Sequence, residues 1–227
     1  QPFYNSPKGG LYWSGEGRGC NTVMGWFVVD HVTYDSGVLT AIDLRFEQHC
    51  EDKVPALRGK IHWRADAATS SPGPVNPIPG DLWDADSHLL PASGNYVYLE
   101  SDTGDYVGEG ENYLYTPIDS TLSVSSSGRI LDVFINSDKK WGGNFQTMIS
   151  LDRIQTGFYG DLQDYNPAKG SLGWGGEGHS CNTRTGWFVV DSVTYDSNML
   201  TAIDLRFAQH CEGGVPALYG KIHWRAE

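Results

Sequence analysis

LYWSGEGRGCNTVMGWFVVDHVTYDSGVLTAIDLRFEQHCEDKVPALRGKIHWRA, residues Leu11–Ala65, returns as LGWGGEGHSCNTRTGWFVVDSVTYDSNMLTAIDLRFAQHCEGGVPALYGKIHWRA at Leu172–Ala226. The copies align without a gap and are identical at roughly three quarters of positions, so the chain is first of all a repeat. In the first copy, GWFVVDHVTY (Gly25–Tyr34) is rich in β-branched and aromatic residues, and Asp35–Gly37 reads as a turn. Across Val38–Cys50, Ile42, Leu44, Phe46 and Cys50 fall on one face, with Ala41, Asp43, Arg45, Glu47 and His49 on the other. Leu57–Arg64 repeats the alternation, with Ile61 and Trp63 inward and Lys60, His62 and Arg64 outward. This is the pattern of antiparallel strands with one wet face; no stretch sustains a helical period.

Outward from the repeat, residues 1–10 form an irregular lead-in, and DAATSSPGPVNPIPG (Asp66–Gly80) reads as a Pro/Ser linker. Beyond it, strands are expected at Tyr96–Glu100, Asn112–Thr116, Thr121–Ser125, Ile130–Asn136 and Phe145–Leu151, with turns at Ser126–Gly128 and Trp141–Gly143. The expected organisation is a cysteine-containing β half at 1–65, the linker at 66–80 and a complete β-sandwich at 81–227. Within that sandwich, 81–151 is the N-terminal half and 157–227 the second copy of the repeat. The fold class is therefore all-β, an antiparallel jelly-roll-like sandwich in tandem with an incomplete first unit. Three arrangements would complete that unit: an upstream half cut away yet still bound, a homodimer by strand exchange, or a small independent fold.

Composition narrows the partners. The net charge of −12 repels a phosphate backbone, which argues against nucleic acid. No run approaches the ~18 apolar residues of a membrane span, so membrane insertion is not expected. No basic-then-apolar signal opens the sequence, as in a mature exported protein. Cys20 and Cys50 are spaced as Cys181 and Cys211 are, so two intra-repeat disulfides and a secreted, extracellular location are the natural reading. Four reduced, buried thiols are the other. Zinc has no C-x-x-C pair to use.

GDYVGEGENYLYT (Gly104–Thr116), GEGHSCN (Gly176–Asn182) and FAQHCEGGVPALYGKI (Phe207–Ile222) form an ordered set, echoed by GEGRGCN (Gly15–Asn21) and FEQHCEDKVPALRGKI (Phe46–Ile61). The set resembles a repeat domain of secreted bacterial proteins that occurs singly or in tandem. The resemblance implies a secreted all-β module in which a half like Tyr96–Leu151 precedes each cysteine half.

Two loops stand out as candidate sites. Trp13, Glu16, Arg18 and Asn21, with their counterparts Trp174, Glu177, His179 and Asn182, surround a glycine-rich loop beside a cysteine. A tryptophan face with planar polar groups suits a sugar ring, and glycines let backbone approach a ligand. The same residues also read as core tryptophan, turn glycine and solvated glutamate. Asp102, Asp105 and Glu109 place hard oxygen ligands close together, as Ca²⁺ requires, though in no EF-hand spacing. The outward charges Asp43/Glu47 and Lys60/His62/Arg64 read as cross-strand pairs; Glu47 becomes Ala208 in the second copy, so an Asp43–Glu47 catalytic pair would serve one unit only. His49 and His210, beside the cysteines, read as structural groups. No serine-hydrolase, zincin, P-loop or Rossmann fingerprint is present. The expected function is a multivalent, lectin-like protein for glycan or polysaccharide, one loop site per repeat. The alternatives are an adhesive surface module that binds protein and a polysaccharide-cleaving jelly-roll enzyme.

Overall fold

A computed structural model describes residues 4–5, 9–15, 17–66, 72–163 and 166–226, which divide into two compact units, 1–70 and 71–227. In the first, β1 (Tyr4–Asn5) and β2 (Gly9–Gly10) form a short ribbon. The strands β3 (Val23–Asp35), β4 (Val38–Cys50) and β5 (Ala56–Arg64) form a three-stranded antiparallel meander. The β3–β4 turn has positive φ at both central residues, Ser36 (51°) and Gly37 (86°), the twist that a two-residue hairpin needs.

The second unit adds β6 (Tyr96–Ser101), β7 (Asn112–Tyr115), β8 (Thr121–Ser127), β9 (Ile130–Asn136), β10 (Lys140–Gln146), β11 (Gly157–Leu162) and β12 (Ser171–Gly176). The repeat supplies β13 (Arg184–Asp196), β14 (Met199–Cys211) and β15 (Ala217–Arg225). They form a six-stranded sheet, β11-β13-β14-β15-β6-β7, and a four-stranded sheet, β12-β10-β9-β8, with every pairing antiparallel. Leu99, Phe188 and Phe207 of the larger sheet bury themselves against Leu131, Phe145 and Trp174 of the smaller. This is an antiparallel all-β sandwich. Apart from a 3-10 turn at Ser87–Leu89, the described residues form no helix, and none is long and apolar enough to cross a membrane. Both disulfides form, Cys20–Cys50 and Cys181–Cys211, each with Cα atoms 5.0 Å apart.

Two expectations change. Trp141–Gly143 is the interior of β10 rather than a turn, and the strand expected at Phe145–Leu151 ends at Gln146. The glycines there are spacers for rings: a Cβ on Gly143 would collide with the Trp174 indole, and one on Gly142 would press on Phe134. The linker is also shorter than it reads. Val75 pairs with Phe158, and Trp83 stacks on Tyr219 with centroids 5.1 Å apart. Arg206 donates to the Trp83 carbonyl and Lys221 to Asp84, so 81–84 strap the outer face of the six-stranded sheet.

The same sequence meets two fates. Phe188, Trp174 and Leu218 are 0%, 2% and 0% exposed, whereas their counterparts Phe27, Trp13 and Leu57 are 43%, 47% and 49% exposed. Ser171–Gly176 is a strand because β10 lies beside it; among the described counterparts of the first copy, only Gly10 lies in a strand, paired with β1.

Candidate functional site

The glycine loop of the second copy is a hairpin turn. Gly176 and His179 exchange backbone hydrogen bonds (3.0 and 2.7 Å), and Glu177 and Gly178 take positive φ (52° and 85°), as the two central residues of a type I′ turn must. Gly15 and Arg18 exchange the same pair of bonds, while Glu16 lies outside the described residues. The Glu177 carboxylate accepts the Lys140 amide at 2.7 Å, fastening the turn to β10. The Asn182 amide donates to Glu212 at 2.6 Å, as Asn21 does to Glu51 at 2.7 Å. These backbone bonds, led by those from Asn182 and Asn21, hold the Glu212 and Glu51 carboxyls below their usual range.

Trp174 offers no ring face to a ligand, because it is core. Its indole packs 5.1 Å from Phe207. Trp13 makes the same contact with Phe46, also at 5.1 Å, and is exposed because, among the described residues, no counterpart of β10 lies beside it. The sugar platform expected at Trp174 is therefore corrected: alternation along β12 points this side chain into the core, where Gly143 of the neighbouring strand leaves room for its indole. Beneath it, buried Gln209 accepts the Trp174 amide (2.8 Å), donates to its carbonyl (2.9 Å) and reaches Cys181 Sγ, tying β14 of one sheet to β12 of the other. Gln48 holds Trp13 in the same way.

The acidic loop is likewise committed to its own fold. Asp102 accepts the Ala217 amide, and buried Asp105 accepts Gly108 N–H (2.7 Å) and the Ser101 hydroxyl (3.0 Å). Glu109 lies 3.7 Å from His179. Among the described residues no group of three or more His, Cys, Asp or Glu is placed to hold a metal, and Asp102, Asp105 and Glu109 are not brought together as one. The outward charges pair with one another: across strands, Asp43 with His62 and Arg64, Glu47 with Arg58 and Arg45 with Asp30, and along β4, Glu47 with His49. His49 and His210 bond backbone carbonyls.

A different place has the shape of a site. On the outer face of the four-stranded sheet, Gly175, Gly142 and Phe134 share one cross-strand row, and Gly173, Asn144 and Asp132 the next. Three glycines leave a floor with no side chains, and a groove of about 340 Å³ opens over it. Phe134 stands beside the floor, 55% exposed on a strand whose Leu131, Val133 and Ile135 face the core. Asn144 donates to Asp132 at 2.7 Å. At the far side, the Arg184 guanidinium lies over Gly173, where a Cβ would stand 3.1 Å from Nη1, and its Nε is buried without a hydrogen-bond partner.

No protein family, curated protein or solved structure matches the chain.

What the groove can do follows from its own side chains. An aromatic ring, a carboxylate–amide pair and a guanidinium line a bare backbone floor, a combination suited to a flat, polyhydroxylated ligand. Two signals in the sequence pointed here. Phe134 puts a large apolar ring on the wet side of an alternating strand. The repeat copies also diverge at the groove: Gly173, Gly175 and Arg184 replace Tyr12, Ser14 and Val23, while the inward residues nearby are retained.

Proposed function

We propose that the second unit is a saccharide-binding β-sandwich of an exported protein, with the ligand lying on the outer face of β12-β10-β9. The observation that carries this reading is the glycine floor between exposed Phe134 and the Arg184 guanidinium. A sugar's C–H face would cover the Phe134 ring, its hydroxyls would bond Asp132 and Asn144, and a ring or carboxylate oxygen would meet the Nη end of Arg184. Binding is favoured over hydrolysis because Asp132 is the single carboxylate lining the groove, whereas glycoside cleavage ordinarily uses two. The disulfides fit an oxidising compartment and support export.

Titration calorimetry of the full chain against neutral and acidic oligosaccharides tests the reading. Phe134→Ala and Arg184→Ala should each weaken binding about tenfold or more, with unchanged thermal unfolding, because neither side chain is part of the core. Trp13→Ala should leave affinity untouched. Absence of binding across the panel, or loss with Trp13→Ala alone, would remove the groove as the site.

A further inference from the structure

In the second unit the repeat's apolar face is closed by a second sheet, and its two strand edges are taken. Phe158 and Tyr159 of β11 pair with Val189 and Phe188 along β13, and β6 pairs with β15 from His223 to Leu218. In the first unit the corresponding edges of β3 and β5 carry no partner strand among the described residues. The corresponding face is open, with identical residues at Phe27, Val29 and Leu57 exposed where Phe188, Val190 and Leu218 are fully buried. The glycine on this face is equivalent in both copies: a Cβ on Gly220 would collide with Phe207 and meet Leu99 of β6 at 3.1 Å, and one on Gly59 would collide with Phe46.

We propose that the β3-β4-β5 sheet is the receiving half of a second sandwich, and that its occupant is a polypeptide segment of the Tyr96–Leu162 type lying outside these 227 residues. The second repeat shows what covers this face, down to the strand that lies on each edge. A second copy of these 227 residues is not a sufficient source, because the 227 residues hold two receiving faces and one covering half. Exchange between copies leaves as many faces bare as before. Leaving such a face in water is costly, since full burial of each Val, Leu or Phe is worth roughly 1.5–3 kcal/mol. The inference does not depend on the saccharide reading.

The test has two arms. In the first, the unmodified chain is examined by sedimentation velocity and by fluorescence of a hydrophobic dye; it should sediment as a monomer at micromolar concentration and bind the dye. A dimer that expels the dye would put a second copy in the slot and overturn the proposal. In the second arm, a duplicate of residues 72–171 is fused directly ahead of Leu11. Dye fluorescence should fall about fivefold, and amide exchange at Val28 and Val29 should slow about a hundredfold, toward Val189 and Val190. The same fusion with aspartate in place of Leu99 in the added segment should do neither. The same segment folds against the second repeat, so failure of the added copy to protect the first would count directly against the proposal.

Discussion

Asp204 shows how single residues carry this fold. Burial alone would raise its pKa, but hydrogen bonds from Ser192, Arg225 and His223 more than reverse this and hold the carboxyl below its usual range. A folded-state pKa depressed in this way gives stability that is present above the ordinary carboxylate pKa and is lost as pH falls through the folded value. Asp204→Asn should therefore cost about 2 kcal/mol at pH 7 and progressively less toward pH 2, as read by denaturant unfolding. Asp43, its counterpart, is held at about 2 by Arg64 and His62 and should titrate correspondingly late by NMR. Gln209 makes a sharper case. Replacing it with alanine strands the buried Trp174 amide and carbonyl, at about 2–3 kcal/mol for the second unit by denaturant melts. Gln48→Ala should cost less, because water can reach Trp13. The rows of inward and outward side chains could be read from spacing alone, but the purpose of these polar residues could not. A glutamine between phenylalanine and cysteine carries no local sign that it bridges two sheets.

At the scale of strands, the hairpin of the repeat was fully legible because alternation, β-branching and an Asp-Ser-Gly turn all agree. The strand β10 was not. KWGGNFQ looks like a turn, and only a neighbour far along the chain explains it, since Trp174 occupies the space that Gly143 leaves. Gly143→Ala should destabilise the second unit by about 1–3 kcal/mol and alter the near-UV circular dichroism of the tryptophans. The candidate site failed to announce itself for a related reason. Its floor comes from β10 and β12, its ring from β9 and its cation from β13, so no contiguous motif contains it. The duplicated GWFVVD run provides an unusual control: with near-identical sequence context, its amides have nearly equal intrinsic exchange rates. Val189 and Val190 should nonetheless exchange far more slowly than Val28 and Val29 in the native chain, because β11 lies along β13.

For the whole molecule, unequal burial implies unequal durability. Cys50 is exposed whereas Cys211 is buried, although both sit at the end of the same strand. Limited treatment with reductant followed by alkylation and mass spectrometry should label Cys20 and Cys50 first. Full loss of either bridge, each closing a 30-residue separation, should cost its unit about 3–4 kcal/mol. Two-step thermal unfolding should follow, with the first unit melting earlier. The strap at 81–84 has a consequence for biosynthesis. A ribosome releases the first repeat, then Tyr96–Gln146, and only afterwards the copy to which that segment belongs, so during translation the newcomer meets a nearly perfect decoy. The decoy lacks one anchor: Trp83 finds Tyr219 in the authentic partner, but arginine occupies the equivalent position, Arg58, in the early one. A single stacked ring thus sets the authentic half apart from its look-alike.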